Sequence, residues 1–183
     1  MPNFLRSLFS STPKVQFVSG HRVAHTKTVG EVLGDSFDYV GSMRAGSAFC
    51  KKLLITCAKR YSTENLLFVL MAEKYAKTPN PGLFNHIYNE FIKAGSPREV
   101  NISGSERVAL TVLGNLGDPG SSNQVFETSA KEIKNLIKRD MIDMLTVGLK
   151  AIPFETAFIM SAPEQKAFDE AIVYLKTHQI ILL

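Results

Sequence analysis

Apolar residues recur along this chain at three- and four-residue intervals, a spacing that places them on one face of an α-helix and not on alternate faces of a strand. Val29, Val32, Leu33 and Phe37 form a short first stripe, and Phe49, Leu53, Leu54 and Cys57 form a second. A third helix is predicted to open after Ser62, a residue type suited to capping, with Glu64 in its first turn where the helix dipole favours an acid. It carries Leu66, Leu67, Leu70 and Met71 until Thr78, Pro79, Asn80, Pro81 and Gly82 end it. Phe84, Ile87, Tyr88, Phe91 and Ile92 give the cleanest amphipathic stripe, closed by Gly95, Ser96 and Pro97.

Further on, Ser103 with Glu106 three residues later matches a capping box, so Asn101 falls in the turn just before a helix start. The stretch 114–123 is rich in Gly, Ser and Pro and predicts a flexible loop. Ile133, Leu136, Ile137, Met141, Met144 and Leu145 then make another stripe, and a second capping box, Ser161 with Glu164, opens a last helix through Phe168, Ile172 and Leu175. No long period-two alternation and no internal repeat interrupts this pattern, so the expected fold is all-α.

Composition narrows the class. With 183 residues, 45% hydrophobic and 21% charged, the chain has the balance of one folded domain. No apolar run approaches the roughly 20 residues that span a bilayer, and the start lacks the apolar core of a secretion signal, which predicts a cytoplasmic protein. Cys50 and Cys57 stand seven positions apart in predicted helix, about 10 Å along the axis, too far for a disulfide. They are expected to be buried, reduced thiols. The net charge of +4 comes wholly from Arg6, Lys14, Arg22 and Lys27, which precede the first acid, Glu31; the rest balances, and a nucleic-acid partner is not expected. Residues 1–27 therefore read as a loosely ordered basic tail, 28–178 as the domain, and 179–183 as an apolar tail. Phe4, Leu5, Leu8 and Phe9 around Arg6 would give the first tail one amphipathic turn for peripheral contact with a membrane.

Little in the chain supports catalysis of its own. His21 and His25 share helical spacing, but no glutamate follows His21 and no third ligand suggests itself, so no metal site or cofactor is expected. His86 and His178 are expected at surface or boundary positions. Gly114, Gly117 and Gly120 lack the lysine and hydroxyl residue of a phosphate loop, and predict flexibility instead.

Three blocks carry more information. They are Tyr61-Ser62-Thr63-Glu64-Asn65-Leu66-Leu67-Phe68 with Glu73-Lys74-Tyr75 behind it; Ile87-Tyr88-Asn89-Glu90-Phe91-Ile92 leading to Glu99-Val100-Asn101; and Phe126 leading to Ile133, Leu136 and Lys138-Arg139-Asp140. In order and spacing they resemble the regulator of G-protein signalling (RGS) family. The resemblance implies a central antiparallel four-helix bundle with a terminal subdomain made by the first and last helices. It implies a GTPase activator that binds the switch regions of a Gα subunit and does no bond chemistry itself. The contact face would come from three inter-helix corners: Tyr61, Ser62, Glu64 and Asn65; Asn101; and Leu136 with Asp140. Asn101 would reach the Gα glutamine and a switch threonine, and Asp140 would accept a hydrogen bond from a switch I amide.

The same residues have structural uses: Asn101 as a turn residue, Ser62 as a cap, Glu64 as a dipole partner and Leu136 as core. The chain also departs from the family. Met141 stands where a small polar residue is usual, and Met144 where an arginine would pair with Asp140 at i, i+4. Both methionines are expected on the contact face, and they motivate the alternative of an RGS-fold scaffold that binds without activating. Val69 replaces a common tryptophan, a change of packing.

Overall fold

The computed structural model describes residues 27–33, 37–44, 46–60, 62–117 and 122–177. Residues 1–26 of the expected basic tail at 1–27, the expected apolar tail at 179–183, and His21, His25, Tyr61 and His178 lie outside them. Among the described residues there is no β-strand, only one antiparallel bridge between Thr28 and Pro153. The helices are α1 (Val29–Val32), α2 (Tyr39–Arg44), α3 (Ala48–Lys59), α4 (Thr63–Lys77), α5 (Pro81–Ile87), α6 (Gly104–Leu116), α7 (Glu127–Ile137), α8 (Asp143–Leu145), α9 (Phe154–Ala157) and α10 (Ala162–Thr177). Two π turns extend them, π1 (Tyr88–Ile92) after α5 and π2 (Lys138–Ile142) between α7 and α8.

Packing divides the helices into two groups sharing one core. Helix α4 touches α5 and α7, and α6 lies against π1, which makes the bundle. Its interior is aromatic: Phe68 meets Phe91 at 6.0 Å and Phe126 at 6.2 Å, while Phe126 stacks on Phe84 at 5.5 Å and meets Tyr75 edge-on at 5.2 Å. Offset and edge-on pairs of this kind add about 0.5–1.5 kcal/mol each beyond burial. The second group joins both ends of the domain. Helix α1 packs with α9, and α10 lies along α3. Backbone bonds Val29 to Ile152 (2.9 Å), Gly30 to Lys150 (3.1 Å) and Phe154 to Lys27 (3.0 Å) stitch the ends together. Phe37, Phe49, Phe154 and Phe158 fill this second interior.

Several expectations change on contact with the structure. Val29 to Phe37 is not one helix: α1 ends at Val32, and Phe37 is buried from an irregular segment. The run 78–82 does more than stop α4, because Asn80 caps α5 by accepting from the Leu83 amide at 2.8 Å and Pro81 sits where a missing amide costs nothing. The Ser103 box does not close. The Ser103 amide and hydroxyl both donate to Glu132 on α7, at 2.9 Å each, and Glu106 accepts instead from Ser129 at 3.1 Å. Tertiary contact has replaced the local cap. The Ser161 box does form, with Glu164 accepting from the Ser161 amide at 2.8 Å and hydroxyl at 2.9 Å.

Cys50 and Cys57 are buried on α3 as expected, and desolvation pushes both thiols up to about 12. The expected flexibility of 114–123 fails at its start. Gly114 lies inside α6, where a methyl group would stand 2.6–2.7 Å from ring carbons of Tyr88, and Gly117 ends the helix with φ +70°. Gly114 is there so that α6 can approach the buried Tyr88 ring, itself stacked on Phe84. Gly114→Ala should therefore lower the melting temperature. An overpacking cost of about 1–3 kcal/mol outweighs the roughly 1 kcal/mol that alanine gains in helix propensity. A scanning-calorimetry midpoint equal to wild type would show that α6 can move off the ring without penalty.

Candidate functional site

Three corners of the fold carry the residues singled out by sequence. At the first, α3 ends at Lys59 and α4 begins at Thr63, with Ser62 as the N-cap. The Ser62 side chain makes no cap bond: its amide and hydroxyl donate to the Cys57 carbonyl, at 3.0 and 3.4 Å, and so tie the corner back to α3. Glu64 and Asn65 are half-buried on the first turn of α4. Burial raises the Glu64 carboxyl above its usual range, the largest cause being desolvation. It lines a groove of about 440 Å³ between α3, α4 and α10, together with Thr63, Leu67, Tyr174, Leu175 and Arg98.

Arg98 brings in the second corner. The chain leaving π1 is held by Arg98 to Glu90 through both backbone and side chain, by the Val100 amide on Phe91 at 2.9 Å, and by Gly95 on Glu99 at 2.7 Å. Arg107, from the first turns of α6, reaches back beneath it. It donates to the Ile92 carbonyl, to the Val100 carbonyl at 2.7 Å, and pairs with Glu99 at 3.1 Å. Val100 is 1% and Ile102 7% exposed, whereas Asn101 between them is exposed. Two buried anchors and one guanidinium clamp thus hold the segment so that the amide side chain faces solvent.

The third corner is the end of α7 with π2 and α8. Lys134 on Glu73 at 2.7 Å fixes α7 to α4, and Leu136 is half-buried against the core. Asp140 is exposed and gripped by its neighbour Arg139, Nε on Oδ1 at 2.6 Å and a terminal nitrogen on Oδ2 at 3.1 Å. That hydrogen-bonded fork holds its carboxyl below the usual range, with a smaller contribution from the charge of Arg60. Met144 is 41% exposed, and its sulfur accepts from Arg60 at 3.0 Å, joining the third corner to the first. Met141 corrects the expectation that both methionines are surface residues. It is 7% exposed, because it continues the Ile133 and Ile137 stripe into the core.

The first corner therefore adjoins both others, through the Glu64 and Arg98 groove on one side and the Arg60 to Met144 contact on the other. Sequence reasoning missed Arg60, Arg107 and Glu132. Arg107 and Glu132 act on segments remote in the chain, and no local spacing marks them. Arg60 carried a weak signal, the residue directly before the first block.

An all-helical bundle closed by its own two ends, with polar residues gathered at its inter-helix corners, is the class of domain this structure defines. Residues 47–144 match the family model described as the regulator of G protein signaling domain, and the chain belongs to that family. It is similar to Regulator of G-protein signaling 8 of Danio rerio, 42% identical over 72 residues that make up 37% of this chain and 40% of that protein. Regulator of G-protein signaling 8 of Homo sapiens is 33% identical over 110 residues, 58% of this chain and 57% of that protein. Regulator of G-protein signaling 5 of Bos taurus is 33% identical over 112 residues, 59% and 58% respectively. The chain thus spans little more than half the length of these relatives at most. Among the described residues no helix is long and apolar enough to cross a membrane.

Glu64 supplies a pH test. A carboxyl raised in the folded state favours its protonated form there, so ionising it costs stability as pH rises through and above the ordinary carboxylate range. Glu64→Gln should melt higher than wild type at pH 7, and the difference should shrink as pH falls to about 4, where free glutamate itself protonates. A gain that is constant with pH would mean that packing, not ionisation, is responsible.

Proposed function

We infer that this domain binds the switch regions of a Gα subunit and hastens its GTP hydrolysis, without bond chemistry of its own. What supports the reading is the second corner, where Asn101 is exposed between buried Val100 and Ile102 on a segment clamped by Arg107. A segment held this way loses little backbone entropy on binding. A Gα subunit carries its catalytic arginine in cis, so a partner needs only to hold the switches and the water-orienting glutamine in the geometry of the transition state. A neutral amide suits that task, since it donates and accepts without adding charge beside the nucleotide. Ser62, Glu64, Asn65, Leu136 and Asp140 would complete the face, with Tyr61. The same reading puts the protein in the cytoplasm, at the inner face of the plasma membrane, where residues 1–27 would meet anionic lipid.

Met144, exposed where the family's arginine would stand, favours a second reading, an RGS-fold scaffold that binds Gα without activating it. An activator must prefer the transition-state-like GDP and aluminium fluoride form of Gα over the GDP form, whereas a scaffold need not.

Single-turnover GTP hydrolysis by several purified Gα subtypes tests the activator directly. Acceleration of about tenfold or more, equivalent to roughly 1.4 kcal/mol off the barrier, is expected for at least one. Asn101→Ala should remove most of it while shifting stability by no more than about 0.5 kcal/mol, as for other exposed positions. No acceleration with any subtype would refute the reading. A large loss of stability in Asn101→Ala would make the residue a structural turn.

A further inference from the structure

Asp140 is a poorly supported carboxylate by the logic of its own helix. Its i, i+4 neighbour is Met144, which carries no charge, and its only ion-pair partner among the described residues is Arg139 beside it in the chain. That fork is local and exposed, with 71% of the Arg139 side chain open to solvent, and it does nothing to fix the third corner against the first. A second guanidinium arrives from elsewhere. Arg60 caps α3, its amide bonded to the carbonyls of Thr56 and Cys57, and one of its terminal nitrogens lies 3.0 Å from the Met144 sulfur. Met144 follows Asp140 by one helical turn, so the guanidinium stands over the face that both residues share. Its charge is felt at the Asp140 carboxyl.

We propose that Arg60 is the positioning cation of Asp140, supplying from the end of α3 the positive charge that the i, i+4 position of the Asp140 helix lacks. The thioether of Met144 is a seat for it: a soft, weak acceptor that holds a guanidinium by contact and competes little for its charge. The cation has been moved from the third corner to the first. One consequence is that the two corners, already packed together through α3 and π2, gain a side-chain contact across their exposed edge. Another is that a cation stays near the Asp140 carboxylate even when Arg139 swings into solvent. This inference rests on the reading of the corners as a Gα face.

The test compares the wild-type 183-residue chain with R60Q, M144R and the R60Q/M144R double variant. Single-turnover hydrolysis by a responsive Gα subtype is measured beside an NMR titration of the Asp140 side-chain carbon in each protein alone. R60Q should lose about three- to fivefold of the acceleration, the scale of one exposed charge interaction, with an unchanged melt. It should also move the Asp140 midpoint upward. M144R placed in the R60Q background should recover both, because it returns the cation to the helix. Wild-type acceleration by R60Q would overturn the inference and leave the activator reading standing. Lost acceleration with an unmoved Asp140 midpoint, or with no recovery in the double variant, would mean that Arg60 touches the partner itself, which also overturns it. If wild type accelerates no subtype, the activator reading falls, and the titration decides alone: an unmoved midpoint in R60Q rejects the positioning role, and an upward shift reversed by M144R sustains it.

Discussion

The structure depends on the burial of α4 from all sides. Every residue from Leu66 to Ala72 is at most 4% exposed, so this stretch has no solvent face, and an amphipathic helix has become a central post. Each large apolar side chain fully buried there contributes about 1.5–3 kcal/mol. The post contacts α2, α3, α5 and α7, and Phe68 at its middle ties Phe91 of π1 to Phe126 ahead of α7. Because interiors are close-packed, a helix held on every side transmits position to whatever emerges from its ends. At its N-terminus stand Ser62, Glu64 and Asn65, the first corner.

Polar contacts then set the corners at a finer scale. Arg107 and Arg98 secure the segment before Asn101, Lys134 on Glu73 fixes α7 to α4, and Arg60 on Met144 bridges the first corner to the third. Surface ion pairs taken singly contribute little to stability. Their importance here lies in geometry: on the proposed reading, a face that clamps mobile loops needs its groups placed before the partner arrives. Glu64 shows the opposing tendency. A half-buried carboxyl raised by desolvation weakens the fold at neutral pH.

Much of this was legible in the sequence because the strongest signals are local. The stripes at 49–57, 66–71, 84–92 and 168–175 became α3, α4, α5 with π1, and α10, with the expected side chains buried, and the Ser161 box formed as written. What failed was non-local. The Ser103 box has the right letters, yet Glu132 from another helix offers both oxygens to Ser103 and Glu106 is drawn to Ser129. Gly114 looked like loop because a glycine's purpose depends on what approaches it, and the Tyr88 ring is 26 positions away in the chain. For the site, the three blocks identified the corners, while Met141 was drawn to the surface by comparison with the family when its own stripe already pointed inward.

The two π turns were invisible to a count of period 3.6, and they explain a feature the sequence does display. Ile87 is followed by Phe91 and Ile92 at i+4 and i+5, and Ile137 by Met141 and Ile142 at the same offsets; all six are buried. In α geometry the i+5 residue would stand about 140° round the helix from the first, at the margin of the apolar stripe for Ile92 and beyond it for Ile142. One wider turn, closed by an i+5 to i bond such as Lys93 to Tyr88 at 2.8 Å, brings it back toward the core. The wider turn lets both apolar residues of each pair be buried. One of the two turns leads into the segment of Asn101, and the other contains Asp140. By adding a residue to the turn, each rotates the chain that follows, π1 the segment that leads to Asn101 and π2 the short helix that carries Met144.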